Sequence, residues 1–265
     1  MSALSDALAK AHADGRSALI GYLPVGYPSV EVSIEAMRAM VAGGVDILEV
    51  GVPYSDPVMD GPTIQVAAEQ AVRNGVSISD ALHAVAAVVD AGAAAVIMSY
   101  WNPIERYSVA RFAADLSAAG GSGAITPDLI PDEAQAWLAA TDQHALDRIF
   151  LLAPSSTDAR VASTSAASRG FVYAASTMGV TGTRTAVSGA AQSLVARVRR
   201  LAPDTPVCVG LGVSNADQAA QVAAFADGVI VGSAFVRRLL DNPGPAGVTA
   251  VRELAIELAA GVRRH

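Results

Sequence analysis

The stretch Val45-Asp46-Ile47-Leu48-Glu49-Val50-Gly51 reads as a strand, because β-branched and apolar residues dominate it and a glycine follows the last of them. On either side lie amphipathic, Ala-containing segments with helical spacing, Glu31 to Ala42 before it and Ser79 to Asp90 after it. The same unit recurs along the chain. Strands are expected at Ala18–Leu23, Val45–Val50, Ala94–Met98, Gly123–Ile125, Arg148–Leu152, Phe171–Ala174, Pro206–Val209 and Gly228–Val231, which makes eight. Further helical stretches are Val109–Ala119, Pro131–Ala140 and Gly189–Leu201. Strand then helix, eight times over, reads as an α/β chain closed into a (β/α)₈ TIM barrel. A doubly wound open sheet is the alternative, but no Gly-x-Gly-x-x-Gly follows the first strand and the count of eight matches closure.

Working outward, Leu4 to Ala13 is an additional helix before the first strand, placed to plug the barrel bottom. Two connections are long, Gly51 to Pro62 after the second strand and Ser176 to Ser188 after the sixth. Both fall on the face where the strands end, which is the catalytic face of this fold. A length of 265 residues fits one such barrel, so residues 1–265 are read as a single domain. With 52% hydrophobic and 16% charged residues the chain has apolar material for a large core. Asp90 interrupts the longest apolar candidate, Ala84 to Trp101, before it reaches the roughly 18 residues of a membrane span. The first residues carry Asp6 and amphipathic Leu4/Leu8 spacing instead of a basic end and an apolar run, so a cytoplasmic protein is expected.

The residue inventory narrows the chemistry. A net charge of −7 without clustered Lys or Arg argues against a nucleic-acid face. Cys208 is the one cysteine, which excludes an internal disulfide and a thiolate-rich metal site. Lys10 is the one lysine and lies in the first amphipathic segment, away from any strand end, so Schiff-base chemistry is not expected. The histidines, His12, His83, His144 and His265, stand at no spacing that shares a metal. Catalysis is left to carboxylates, hydroxyls, backbone N–H groups and arginines.

Period-two alternation puts Val45, Ile47 and Glu49 on one side of the second strand. Glu49 is the odd member: either it is paired or solvated, or it sits at the apolar barrel mouth with a raised pKa and serves as both acid and base. Eleven residues on lies Asp60, in Val52-Pro53-Tyr54-Ser55-Asp56-Pro57-Val58-Met59-Asp60-Gly61-Pro62. Taken alone, Asp-Gly-Pro is turn chemistry. A loop that folds back over the mouth would instead bring a second carboxylate to the cavity, and two carboxylates in different environments make an acid/base pair.

Three glycine-rich edges end neighbouring strands: Gly179-Val180-Thr181-Gly182, Gly210-Leu211-Gly212 and Val231-Gly232-Ser233. Together they fit a phosphate cradle at free N–H groups, and so a phosphorylated small molecule. Tyr22, Tyr100, Trp101 and Tyr173 fall near strand ends, where they either pack the core or form a flat slot for a planar ring. Asp128, after the fourth strand, reads as a helix-entry or interface residue outside the catalytic set.

From about Ala18 to Phe235 these pieces resemble, in order, the tryptophan synthase alpha subunit family. The resemblance is carried by Gly21-Tyr-Leu-Pro-Val-Gly-Tyr-Pro28, Glu49-Val-Gly-Val-Pro-Tyr-Ser-Asp-Pro-Val-Met-Asp-Gly-Pro-Thr-Ile-Gln65 and Tyr100-Trp-Asn-Pro103. It continues through Pro127-Asp-Leu-Ile-Pro131, Phe171-Val-Tyr-Ala-Ala-Ser176, Gly179-Val-Thr-Gly182 and Val231-Gly-Ser-Ala234. It implies retro-aldol cleavage of indole-3-glycerol phosphate to indole and glyceraldehyde 3-phosphate, a carbon–carbon lyase reaction without metal. It further implies Glu49 as the proton-transfer carboxylate and Asp60 as the carboxylate that meets the ring N–H. Thr181, Gly182, Gly212, Gly232 and Ser233 match phosphate-site positions, while Tyr22, Tyr100, Tyr173 and Leu211 align with the indole and glycerol pocket. Tyr27, Met59 and Leu211 stand where the family commonly has Asp, a small residue and Phe. No cofactor is implied in this chain. The implied partner is a beta subunit carrying pyridoxal phosphate that consumes the indole, in an alpha2beta2 heterotetramer met by the loops Pro53–Pro62 and Met178–Ser188. A free-standing lyase, a mainly regulatory subunit and a sugar-phosphate isomerase barrel are the competing readings.

Overall fold

The computed structural model describes residues 2–175, 189–210 and 212–264. Its strands are β1 (Ala18–Pro24), β2 (Ile47–Gly51), β3 (Ala94–Met98), β4 (Gly123–Ile125), β5 (Asp147–Ile149), β6 (Leu151–Leu152), β7 (Val172–Ala175), β8 (Val207–Gly210) and β9 (Gly228–Val231). All pair in parallel, in the order β5-β4-β3-β2-β1-β9-β8-β7-β6. The two ends of that series are consecutive in sequence. β5 and β6 are the halves of the single fifth strand expected at Arg148–Leu152, broken at Phe150, with one half pairing β4 and the other β7. The sheet is therefore the wall of an eight-membered TIM barrel.

The interruption has a packing reason. The Phe150 side chain joins the layer between barrel and helices, and its carbonyl accepts from Tyr173 N–H at 3.1 Å, so the segment bridges both neighbours without continuing one ladder. Other boundaries move by one or two residues. Val45 and Asp46 precede β2, because Asp46 is held by Arg16 through two bonds of 2.6 and 2.8 Å and also accepts from Leu19 N–H at 2.8 Å. The expected helix Pro131–Ala140 resolves into a 3-10 turn, Pro131–Glu133, and an α-helix, Gln135–His144.

Alternation along the strands divides the core in two. Ile20, Ile47, Val96, Ile125, Ile149 and Ile230 fill the barrel interior. Their chain neighbours, such as Leu19, Leu48, Val50, Ile97 and Val229, face the surrounding helices in a larger cluster. The helix Ala3–Ala13 closes the floor, where Leu4, Leu8 and Ala11 are buried against that interior layer. Each such leucine contributes roughly 1.5–3 kcal/mol relative to exposure. Filled from below, the barrel leaves its upper end as the place for chemistry.

The helix Pro62–Arg73 begins directly after Asp60-Gly61, with proline in the first turn where a missing N–H is tolerated. The glycine-rich ends of β8 and β9 lead into the helices Ala216–Ala223 and Ser233–Asp241. The long connection expected at Ser176–Ser188, including Thr181 and Gly182, lies outside the described residues, as does Leu211.

Candidate active site

Glu49 is the third residue of β2 and shares the inward face with Ile47 below it and Gly51 above. It is 2% exposed, and its Oε1 has no hydrogen-bond partner among the described residues. Burial alone pushes its pKa up to about 8, so the carboxyl is mostly protonated near neutrality. A buried carboxyl oxygen without a partner is costly to keep as a structural element, which separates Glu49 from Asp46, paired with Arg16 just before the same strand.

Two tyrosines rise beside it. Tyr22 stands opposite Glu49 in the β1–β2 register, and Tyr173 reaches across from β7. Both phenols are pushed well above the usual tyrosine value, first by burial and then by neighbouring carboxylates: Asp60 and Glu49 for Tyr22, Glu49 for Tyr173. At neutral pH both hydroxyls therefore keep their protons, which leaves them able to donate a hydrogen bond and unable to serve as bases. Each ring lies over a glycine of the next strand. A Cβ at Gly51 would stand 2.6 Å from the Tyr22 hydroxyl, and one at Gly210 would collide with the Tyr173 hydroxyl. Gly232 similarly leaves room for the Tyr22 ring, 3.2 Å from where its Cβ would be.

Asp60 comes from residues 52–61, which leave β2 and return over the mouth. The chain is pinned where it departs, Val52 N–H donating to Met98 O at 2.9 Å, and again where it returns, Met59 N–H donating to the Tyr100 hydroxyl at 2.9 Å. That hydroxyl donates in turn to Asp60 Oδ1 at 3.4 Å. Burial raises the Asp60 pKa to about 6, with the Tyr100 bond pulling the other way. Asp60 also adds to the rise of the Tyr22 pKa, so the two carboxylates look onto one space from different environments.

The phosphate edges are described in part. Gly232 caps the helix Ser233–Asp241, and Phe235 and Val236 N–H return to its carbonyl at 2.9 and 3.2 Å. Ser233, 7% exposed, opens that helix, whose leading N–H groups have no acceptor within the helix and suit an anion. Gly212 holds φ +68°, a left-handed conformation that glycine takes without strain.

A model of the tryptophan synthase alpha chain family matches residues 8–261. The chain belongs to that family. The tryptophan synthase alpha chain of Thermobifida fusca is 60% identical over 99% of this chain and 98% of its own length. That of Mycobacterium marinum is 63% identical over 96% and 92%. Among solved structures, tryptophan synthase of Mycobacterium tuberculosis superposes with a TM-score of 0.94 at 60% identity, covering 100% of this chain and 99% of that one. The tryptophan synthase alpha subunit of Legionella pneumophila reaches 0.91 at 28% identity over the full length of both chains.

Seen as a tryptophan synthase alpha chain, the structure brings Glu49, Asp60, Tyr22, Tyr100, Tyr173, Gly212, Gly232 and Ser233 to the strand-end face. One contributor escapes a reading of the sequence, and another takes an unexpected place. Tyr54 stacks on Tyr100 with ring centroids 5.2 Å apart and accepts from the Asn102 amide at 3.4 Å, which the loop sequence does not announce. Asp128 caps a helix, though not its own: its carboxylate accepts from Trp101 N–H at 2.9 and 3.2 Å, at the start of the short helix Trp101–Tyr107. That helix after β3 has no side-chain cap of its own, so a residue from the neighbouring βα connection supplies it.

Proposed function

We propose that Glu49 and Asp60 are the acid/base pair with which this chain cleaves indole-3-glycerol phosphate to indole and glyceraldehyde 3-phosphate. The observation that carries the reading is their divergence: one buried carboxyl near pKa 8 and a second near 6, facing one space beside three phenols. Near neutrality Glu49 holds a proton and Asp60 has largely lost its own.

The reaction follows from that difference. Glu49 gives its proton to C3 of the indole, and the ring becomes a cation that can draw electrons. Asp60, as carboxylate, accepts the ring N–H and stabilises the positive charge. Glu49, now ionised, takes the proton of the glycerol hydroxyl next to the ring. The C–C bond breaks, its electrons return to the ring, and the hydroxyl carbon leaves as an aldehyde. Glu49 ends protonated, as it began. Gly212, Gly232 and Ser233 hold the phosphate together with Thr181 and Gly182, and Tyr22 and Tyr173 bound the ring and the glycerol chain.

The partner in this reading is a beta subunit that carries pyridoxal phosphate and consumes the indole, within an alpha2beta2 heterotetramer. A related structure of M. tuberculosis tryptophan synthase is an aminoacrylate-bound form. Among the described residues no helix is long and apolar enough to cross a membrane, and the reading places the chain in the cytoplasm as one domain. Indole release by the purified chain, with and without a beta subunit, is the test. Slow release that rises with the partner supports the paired enzyme, fast release alone supports a free-standing lyase, and none under either condition overturns the assignment.

A further inference from the structure

The loop that delivers Asp60 is tied at both ends to the exit of β3. Its departure is fixed by backbone, Val52 N–H to Met98 O at 2.9 Å, and its return by a side chain, Met59 N–H to the Tyr100 hydroxyl at 2.9 Å. Tyr100 is 5% exposed, and its ring is braced by Tyr54 from the middle of the same loop, with centroids 5.2 Å apart and planes inclined by 35°. Tyr54 is steadied in turn by Asn102. One phenol thus accepts from the residue before the carboxylate, donates to the carboxylate itself and stacks on the loop between its ends.

We propose that Tyr100 is a positioning residue for Asp60: its hydroxyl latches the returning end of the loop and aims the carboxylate at the mouth. This rests on the acid/base reading above and departs from the pocket-lining role that family resemblance gives Tyr100. The hydroxyl has one proton, and with Met59 N–H occupying a lone pair, that proton is free to point at Asp60. At 3.4 Å the second bond is longer than a full-strength O–H···O contact, so Met59 supplies most of the hold here. Bonds of this kind shorten when substrate closes the site.

The groups facing Asp60 among the described residues are Tyr22 from β1 and Tyr100 from the end of β3, with Glu49 of β2 the register partner of Tyr22. Arg237, on the helix Ser233–Asp241, donates to Thr63 at 2.7 Å. Among the described residues, Tyr100 is the hydrogen-bond donor to the Asp60 carboxylate. Removing that donor leaves the carboxylate buried with less support for its charge, so it ionises at higher pH.

The test is the pH dependence of kcat/KM for indole release by the full chain with beta subunit bound, comparing wild type, Tyr100→Phe and a chain carrying 3-fluorotyrosine at position 100. Tyr100→Phe is expected to lower kcat/KM by about 10- to 10²-fold and to move the acid limb upward by roughly half to one pH unit. Fluorotyrosine is a stronger donor of nearly the same shape and moves the limb down. A limb that stays in place in Tyr100→Phe, or that moves the same way in both, overturns the latch. Should Tyr100→Phe fail to fold, the fluorinated chain decides alone, a downward shift supporting the proposal and an unmoved limb overturning it. Asp60→Asn separates the two levels. If it turns over like wild type, the acid/base reading itself fails. If it is slow while the Tyr100→Phe limb is unmoved, only the latch is lost.

Discussion

Tyr22 and Glu49 are register partners in the β1–β2 ladder, so a phenol and a carboxyl leave the barrel wall side by side at one height. The pairing keeps the carboxyl in company that can donate to its ionised form without ionising. Burial and the two carboxylates hold the phenol well above its usual pKa.

The rate of cleavage should follow a bell-shaped pH profile. It rises as Asp60 ionises near pH 6 and falls as Glu49 loses its proton near pH 8. Measured kcat/KM for indole release between pH 5 and 9.5 checks both limbs; a profile flat across that range contradicts the assignment of the pair.

Glu49→Gln keeps the shape of the side chain and removes its proton chemistry. Cleavage should fall by at least about 10²- to 10⁴-fold, with substrate still bound. Equilibrium binding of indole-3-glycerol phosphate alongside turnover separates the two effects.

The same variant should reveal a stability linkage. Because folding raises the Glu49 pKa from 4.5 to about 8, the native state holds this proton more tightly than the unfolded chain. Its contribution is fully present below pH 4.5 and is lost as pH rises towards 8. Gln has no such loss. The stability of Glu49→Gln relative to wild type is therefore expected to grow by a few kcal/mol, in order of magnitude, between pH 4.5 and 9. Thermal unfolding across that range reads it, and a pH-independent difference refutes it.

Gly51→Ala places a methyl group 2.6 Å from the Tyr22 hydroxyl and displaces the ring from its place beside Glu49. A loss of kcat/KM approaching about 10²-fold is expected with the fold retained. Unchanged activity alongside a native circular dichroism spectrum would show that the ring moves freely.

Leu4→Ala empties a fully buried position in the floor of the barrel. It should destabilise the chain by about 2–5 kcal/mol, read by urea unfolding, while the folded fraction keeps its rate of indole release because the mouth is untouched.

Much of this was legible in the chain. Period two in Val45-Asp46-Ile47-Leu48-Glu49 exposed Glu49 as a carboxyl on an apolar face, since strand geometry depends on near neighbours alone. Asp60 was less so. Asp-Gly-Pro serves a turn as readily as a site, and what separates the two is a long-range contact, Met59 and Asp60 with Tyr100, forty-one and forty residues away. Phe150 sat unremarked in an apolar run because the break in the fifth strand depends on which neighbours β5 and β6 pair with. Asp128 was a local capping candidate, and the structure turned it towards the helix of the preceding unit.

The closed floor has a kinetic consequence. With Leu4, Leu8 and Ala11 sealing one end and isoleucines filling the middle, Glu49 meets solvent from above or not at all. Once a ligand lies across the opening, the hydrogen that leaves the glycerol hydroxyl and the one delivered to carbon pass through a single carboxyl with no back door for exchange. Enzyme equilibrated in D2O and diluted into H2O with excess substrate should place part of its Glu49 label on C3 of the first indole released, and the fraction washed out then measures how often the mouth opens before cleavage.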